Sequence, residues 1–164
     1  MTKPTTIAGL ELPITPDTVI PLSAPLSPRQ PRRVCDLPAI MGEEGDWFNA
    51  YRHALIQFVA DWNRSDDPAS LIAEPPTYEG TGWRILPTIA SLVHALAARK
   101  TLPMPAWVWE NKASQDWVVF GDPPSSYFWQ RALRKAPATC VHHRIYFHPR
   151  LLDKGTPDWW LPWD

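Results

Sequence analysis

The chain has 164 residues, of which 45% are hydrophobic and 20% charged, a composition typical of a globular protein with one domain or one domain and an appendage. A formal net charge of −1 argues against a strongly basic binder of nucleic acids or membrane surfaces, although a local charged patch remains compatible with it. No apolar run approaches the ~20 residues of a membrane span, and the N-terminus lacks the apolar core of a secretory signal. We therefore expect a cytoplasmic protein that does not bind membranes.

The first 45 residues are rich in proline. Eight of the 20 prolines of the chain lie there, and their spacing predicts neither a helix nor a central strand. A disordered tail is one interpretation, but short apolar pieces between the prolines are unusual in disordered linkers. We predict an extended arm, residues 1–45, that docks on its own domain, on a second copy or on another protein. The apolar anchors that we expect to make this contact are Ile14, Ile20, Leu22 and Leu26.

Residues 46–164 are predicted to form a single helical domain, which begins with an aromatic helix. This helix runs from an N-cap at Asp46 to about Asn63, and Asp61 is expected to face water. The residues of its predicted core face recur at helical spacing: Trp47, Tyr51, Leu55, Phe58, Val59 and Trp62. A short helix should follow, with Pro68 at its first position and its end before the two prolines that begin at Pro75.

The centre of the domain is predicted to be an apolar helix that begins between Trp83 and Pro87. Its core face is Ile89, Leu92, Val93 and Leu96, which fall at i, i+3, i+4 and i+7. Pro103 and Pro105 prevent the helix from continuing, and the large ring of Trp107 follows them. We expect the other elements to pack around this helix and its rigid exit.

The last third of the domain is predicted to contain two helices and a short strand. One helix covers Tyr127–Lys135, with Phe128, Ala132 and Leu133 directed inward, and another starts at Pro149. The best candidate for a strand is the tripeptide Ile145-Tyr146-Phe147. The tail carries three of the ten tryptophans, which are expected to pack on the domain: Trp159, Trp160 and Trp163. The predicted fold class is therefore mainly α, with a short β element and an extended proline-rich arm.

Cys140, His142, His143 and His148 lie close together in sequence and could suggest a zinc site. Zinc needs ligands that converge from two supports, and no second Cys-x-x-Cys or His-x3-His pair is present. In an extended segment His142 and His143 would also point to opposite faces. We predict no metal and no cofactor, and we expect Cys35 and Cys140 to be free thiols. The glycine-rich signatures of nucleotide-binding loops are absent too.

One local charge feature stands out between residues 131 and 154. This stretch contains six lysines and arginines but a single acidic residue, Asp153. A solvated face is one interpretation, and a docking patch for nucleic-acid phosphates or for an acidic protein surface is the other. The candidate residues for such an anionic patch are Arg131, Arg134, Arg144 and Arg150. No recognised nucleic-acid-binding signature accompanies them.

Residues 83–155 resemble a widespread kind of small actinobacterial protein of uncharacterised function. The shared pattern is a helix ending in Leu96-Ala97-Ala98-Arg99, then Leu102-Pro103-Met104-Pro105-Ala106-Trp107, a helix ending at Ala136-Pro137, an apolar strand, and Leu152-Asp153-Lys154-Gly155. Some proteins of this kind carry a helix-turn-helix domain or accompany toxin–antitoxin-type genes, so the resemblance implies an accessory or antitoxin-like role. The present chain lacks a helix-turn-helix pattern and adds the proline-rich arm and the tryptophan-rich tail.

The function predicted from these features is that of a non-enzymatic protein-interaction or regulatory protein, antitoxin-like in role, that associates with a protein partner or with itself. The arm, the aromatic surface and the basic stretch are the candidate contact regions. Two alternatives stay open: a nucleic-acid-associated regulator, and an enzyme whose site is assembled from residues distant in sequence. Salt-dependent binding to a nucleic acid would favour the first, and a polar pocket with His142 or His143 beside a carboxylate would favour the second.

Overall fold

The computed structural model describes residues 5–7, 10–12, 29–43, 47–120 and 127–154, and the chain divides into two compact units, Met1–Gln30 and Pro31–Asp164. In the first unit, strands β1 (Thr5–Ile7) and β2 (Leu10–Leu12) pair antiparallel, with Thr5 opposite Leu12. The predicted arm anchors lie outside the described residues, and so do the tail tryptophans. The docking of the arm, and the packing of the tail on the domain, therefore remain predictions.

The second unit is mainly helical, as the sequence predicts. Its described α-helices are α1 (Leu37–Glu43), α2 (Trp47–Arg64), α3 (Pro68–Ile72), α4 (Ile85–Arg99), α5 (Ala106–Trp109), α6 (Tyr127–Lys135) and α7 (Cys140–His143). Two 3-10 helices cover Val34–Asp36 and Pro149–Asp153. Strands β3 (Trp117–Val118) and β4 (Ile145–Tyr146) form a short parallel pair, in which Trp117 lies opposite Ile145. No helix among these described segments is long and apolar enough to cross a bilayer.

Helix α4 lies at the centre of this unit, and its predicted core face is fully buried. Its back is buried as well, because Ala90, Ser91 and Ala97 allow neighbouring elements to approach closely. Pro87 falls in the first turn, where a missing N–H does least harm. At the other end the N–H of Leu102 donates to the carbonyl of Ala97 at 2.9 Å, and the chain turns into α5. The predictions for this helix and its exit are confirmed.

The aromatic stripe of α2 is also confirmed for its described side chains, since Tyr51, Phe58 and Trp62 are buried. The expectation that Asp61 faces water was wrong, because this carboxylate is buried. It accepts a hydrogen bond from the main-chain N–H of Arg32 at 2.8 Å. A buried carboxylate needs such donors, so Asp61 fixes the extended segment before α1 against α2.

The prediction that residues 1–45 contain no helix was wrong for residues 34–43. Val34–Asp36 form a 3-10 helix that continues directly into α1, and Val34, Leu37 and Met41 belong to the hydrophobic core. Pro38 is compatible with this helix because it is the second residue of α1, in the first turn, where a residue without an N–H does least harm. Residues 39–43 contain no further proline, so the helix continues to Glu43.

In the last third, α6 and β4 lie where they were predicted, but two details differ. Leu133 is exposed rather than inward, and the buried side chains of α6 include Trp129 and Ala132. The segment Cys140–His143 is a helical turn and not an extended strand. Arg144 ends this turn with a left-handed backbone, φ 60°, and the chain then enters β4. Ion pairing of Arg144 with Asp116 at 2.9 Å supports this conformation.

Candidate functional site

Three histidines from two helices meet beside the end of α5. His94 comes from α4, and His142 and His143 come from α7. The ring centroid of His94 lies 5.2 Å from that of His143, and the rings of His142 and His143 are 4.8 Å apart. Because α7 is helical, both of its histidines reach the same region, although only His143 is buried. The sequence did not predict this cluster.

A chain of hydrogen bonds fixes the buried ring of His143. Its Nδ1 lies 2.6 Å from the carbonyl oxygen of Asn111, which can only accept, so Nδ1 carries the proton. In the neutral ring Nε2 is then an acceptor, and it lies 3.0 Å from Nδ1 of His94. His94 must therefore donate from Nδ1, which leaves a lone pair on its own Nε2. One main-chain carbonyl thus sets the tautomers of two imidazoles.

Lowered pKa values favour the neutral forms of His94 and His143. Burial lowers the pKa of His143 to about 4, although its hydrogen bond to Asn111 acts in the opposite direction. Burial also lowers the pKa of His94, and the neighbouring charge of His142 lowers it further. Around pH 7 the His94–His143 pair is therefore uncharged, and it behaves as a rigid polar–aromatic support rather than as a cationic site.

Trp109 lies on this support and faces solvent. Its ring centroid is 4.7 Å from His94 and 5.1 Å from His142, both in edge-to-face geometry. Its main-chain carbonyl lies 3.1 Å from Nε2 of His142, so that imidazole donates to it. Trp109 is 49% exposed, and Val141, which precedes His142 in α7, is 63% exposed. We call Trp109 and His142 the indole–imidazole face.

The four residues considered for zinc do not assemble into one site. His148 follows β4 and accepts a hydrogen bond from the main-chain N–H of Arg150 at 3.2 Å, while both ring nitrogens of His143 already have partners. Within the described ranges no group of three or more His, Cys, Asp or Glu side chains could hold a metal ion. The absence of a metal from the whole protein stays a prediction.

Cys35 and Cys140 are both free thiols. Cys140 is fully buried, and this burial raises the pKa of its thiol to about 11, despite hydrogen bonds to Ser91 and Phe147. The thiolate is the reactive form of cysteine. Cys140 is therefore a core residue and not a nucleophile.

The four arginines of the predicted anionic patch have different environments. Arg144 pairs with Asp116 and also donates to the carbonyl of Ser114 at 3.0 Å. Nε of Arg134 donates to the carbonyl of Gln130 at 3.4 Å, which holds this side chain along α6. The positive charges of Arg131, Lys135 and Arg150 act on His148, whose pKa they lower in addition to the effect of burial.

Comparisons with known proteins give this chain no relative. No family model matches it, and neither does any curated protein or solved structure.

Proposed function

We propose that this chain is a non-enzymatic, regulatory protein of the antitoxin-like kind, which binds a protein partner. The observation that carries the proposal is the position of Trp109, half exposed and supported from behind by the histidine cluster. Tryptophan is enriched among the residues that dominate protein–protein binding energies.

The support of Trp109 reduces the entropy lost on binding. Its ring has edge contacts with two imidazoles, and its carbonyl is bonded to one of them. His94 is in turn held by His143, which is bonded to Asn111. A side chain that is ordered before association loses little rotamer freedom when a partner covers it, so more of the burial energy appears as affinity.

Replacing Trp109 with alanine is expected to weaken binding to the partner roughly 30-fold, the effect of losing a ~2 kcal/mol hot spot. The partner would first be recovered with the tagged full-length chain from an extract of the source organism, and its affinity then measured by calorimetry. Tyr127→Ala is the matched control, because Tyr127 is a more exposed aromatic residue on α6. Equal losses for both variants, or no loss for Trp109→Ala, would contradict a specific role of this face.

Deleting residues 1–30 is expected to weaken partner binding or self-association at least about tenfold. Burying one aliphatic anchor is worth roughly 1.5–3 kcal/mol, so the loss of Ile14, Ile20, Leu22 and Leu26 should exceed a factor of ten. The second unit should stay folded, because the chain divides at Gln30 and the core begins at Val34. Circular dichroism would check the fold and analytical ultracentrifugation the association.

The two possible failures of this deletion have different meanings. Unchanged association would remove the arm from the binding surface and leave the indole–imidazole face as the sole contact proposed here. Loss of the fold would mean that the arm belongs to the core of the domain.

An enzyme is the second candidate, and one observation favours it. The bonds from Asn111 through His143 orient His94 with a lone pair on Nε2, which is how a general base is commonly held. Against it, no carboxylate is hydrogen-bonded to the three clustered rings in the described part of the chain. Hydrolysis of activated esters offers a test: catalysis that exceeds free imidazole and disappears in His94→Gln would favour the enzyme.

A further inference from the structure

A cavity of about 420 Å³ opens between α2, the residues that follow β3, and the C-terminal 3-10 helix. Its volume lies at the lower end of the ~300–1,000 Å³ typical of small-molecule sites. Most of its wall is apolar, and the apolar lining residues are Phe48, Ile56, Val119, Phe120, Phe147 and Leu151. The rings of Phe48 and Phe120 meet edge to face at 5.3 Å and form one side of the cavity.

The polar residues of this wall are basic. Arg52 contributes from α2, and His148 and Lys154 contribute from either end of the 3-10 helix, while no Asp or Glu is among the described lining residues. Asp153, next to Lys154 in the chain, is paired with Arg99 at 2.8 Å and Arg150 at 3.5 Å. An apolar chamber with basic groups at its wall is complementary to a molecule that has an apolar body and an acidic end.

Neighbouring cations add to the positive potential of the site. Burial lowers the pKa of Lys154, and the charges of Arg52 and Arg150 lower it further. Beside it, the charges of Arg131, Lys135 and Arg150 lower the pKa of His148 in addition to burial. Several cationic groups therefore lie close together at the polar end of the cavity.

We propose that this cavity binds a small hydrophobic carboxylate, with an aromatic or branched aliphatic body between the phenylalanine rings and the carboxylate toward Arg52 and Lys154. The planar guanidinium of Arg52 matches a carboxylate geometrically. A doubly charged phosphate is disfavoured because it would lose its hydration among apolar walls. The volume accommodates a molecule of about the size of a phenyl-substituted short-chain acid. This site is separate from the indole–imidazole face and does not depend on the proposed protein binding.

Titration of the full-length, ¹⁵N-labelled chain with 3-phenylpropanoate and with its neutral amide, 3-phenylpropanamide, tests the site. We expect saturable chemical-shift changes at the amides of Val119 and Leu151, with the carboxylate bound about tenfold more tightly than the amide. Amide affinity equal to that of the carboxylate would contradict the proposed charge recognition. Absence of saturation at millimolar ligand, or shifts centred on Trp109 instead, would overturn the site itself.

Arg52→Gln should weaken the carboxylate about tenfold and leave the amide unaffected, since only a charge-assisted bond is lost. Arg52→Lys should bind the carboxylate more tightly than Arg52→Gln does, but less tightly than the wild type. Arg64→Gln is the matched control, because Arg64 is an exposed arginine near the other end of the same helix. Both positions are exposed, so the fold should be unchanged by circular dichroism. An equal effect of Arg64→Gln and Arg52→Gln on carboxylate affinity would overturn the proposal.

Discussion

Replacement of Trp107 by alanine is expected to lower the free energy of unfolding by about 3–5 kcal/mol, the usual cost of removing a buried tryptophan. Trp107 is buried against the exit of α4, and its indole N–H donates to the carbonyl of Ile72 at 3.1 Å. The substitution therefore opens a cavity in the core. It also leaves a buried carbonyl at the end of α3 without its donor.

Urea unfolding followed by circular dichroism measures this change. Trp107→Phe should fall between the wild type and the alanine variant, because it keeps a ring but loses the bond to Ile72. Trp109→Ala is the matched control two residues away, and its half-exposed ring should cost only about 1 kcal/mol. A loss below about 1 kcal/mol for Trp107→Ala would mean that the exit of α4 does not organise the core.

Acidification from pH 6.5 to 4 is expected to remove about 3 kcal/mol of stability through His143 alone. The pKa of this buried histidine is lowered to about 4, compared with about 6.5 in the unfolded chain. Between these two values the unfolded state binds more protons than the native state, so the free energy of unfolding falls as the pH falls. The lowered pKa of His94 adds a change of the same sign.

Urea unfolding across this pH window, for the wild type and for His143→Gln, isolates the contribution of His143. The variant should be less stable near neutral pH, because the bond to Asn111 is disturbed, and should depend less on pH. His53→Gln is the control, since His53 is an exposed histidine on α2. A parallel pH dependence in wild type and His143→Gln would show that the buried imidazole is not responsible.

The helices that the sequence predicted well have local signals at their ends. Pro87, Pro103 and Pro105 bracket α4, and Pro68 marks the start of α3, so the backbone chemistry of single residues sets these limits. The apolar periodicity of α2 and α4 is long enough to identify a core face without tertiary information. For α1 the proline rule gave the wrong prediction. The effect of a proline depends on its position within a helix, and Pro38 is the second residue of α1.

The features that the sequence did not predict depend on contacts between distant segments. His94 was not singled out because its partner His143 lies 49 residues away in the chain, beyond any local pattern. The helical turn at α7 is too short for periodicity, and a segment of four residues before β4 is easily interpreted as part of the strand. The burial of Asp61 depends likewise on a main-chain donor at Arg32, 29 residues earlier.

The basic stretch was recognised in the sequence, but the different environments of its arginines were not. The predicted patch treated Arg131, Arg134, Arg144 and Arg150 as equivalent, whereas Arg144 is paired with Asp116 and the charges of Arg131 and Arg150 act on His148. The cavity beside them also needs Arg52 and the aromatic residue Phe48 from α2, about a hundred positions earlier. A charge count along one stretch cannot identify an apolar wall that another stretch provides.

The most direct test of the proposed function is the mass of the complex that forms with the recovered protein partner, measured by size-exclusion chromatography with light scattering. Three chains would be compared: the wild type, Trp109→Ala, and the chain lacking residues 1–30. We predict a stoichiometric complex for the wild type and a marked shift toward free components for both variants. An identical complex with all three chains would contradict the account, and so would a bound nucleic acid, released by salt, in place of a protein.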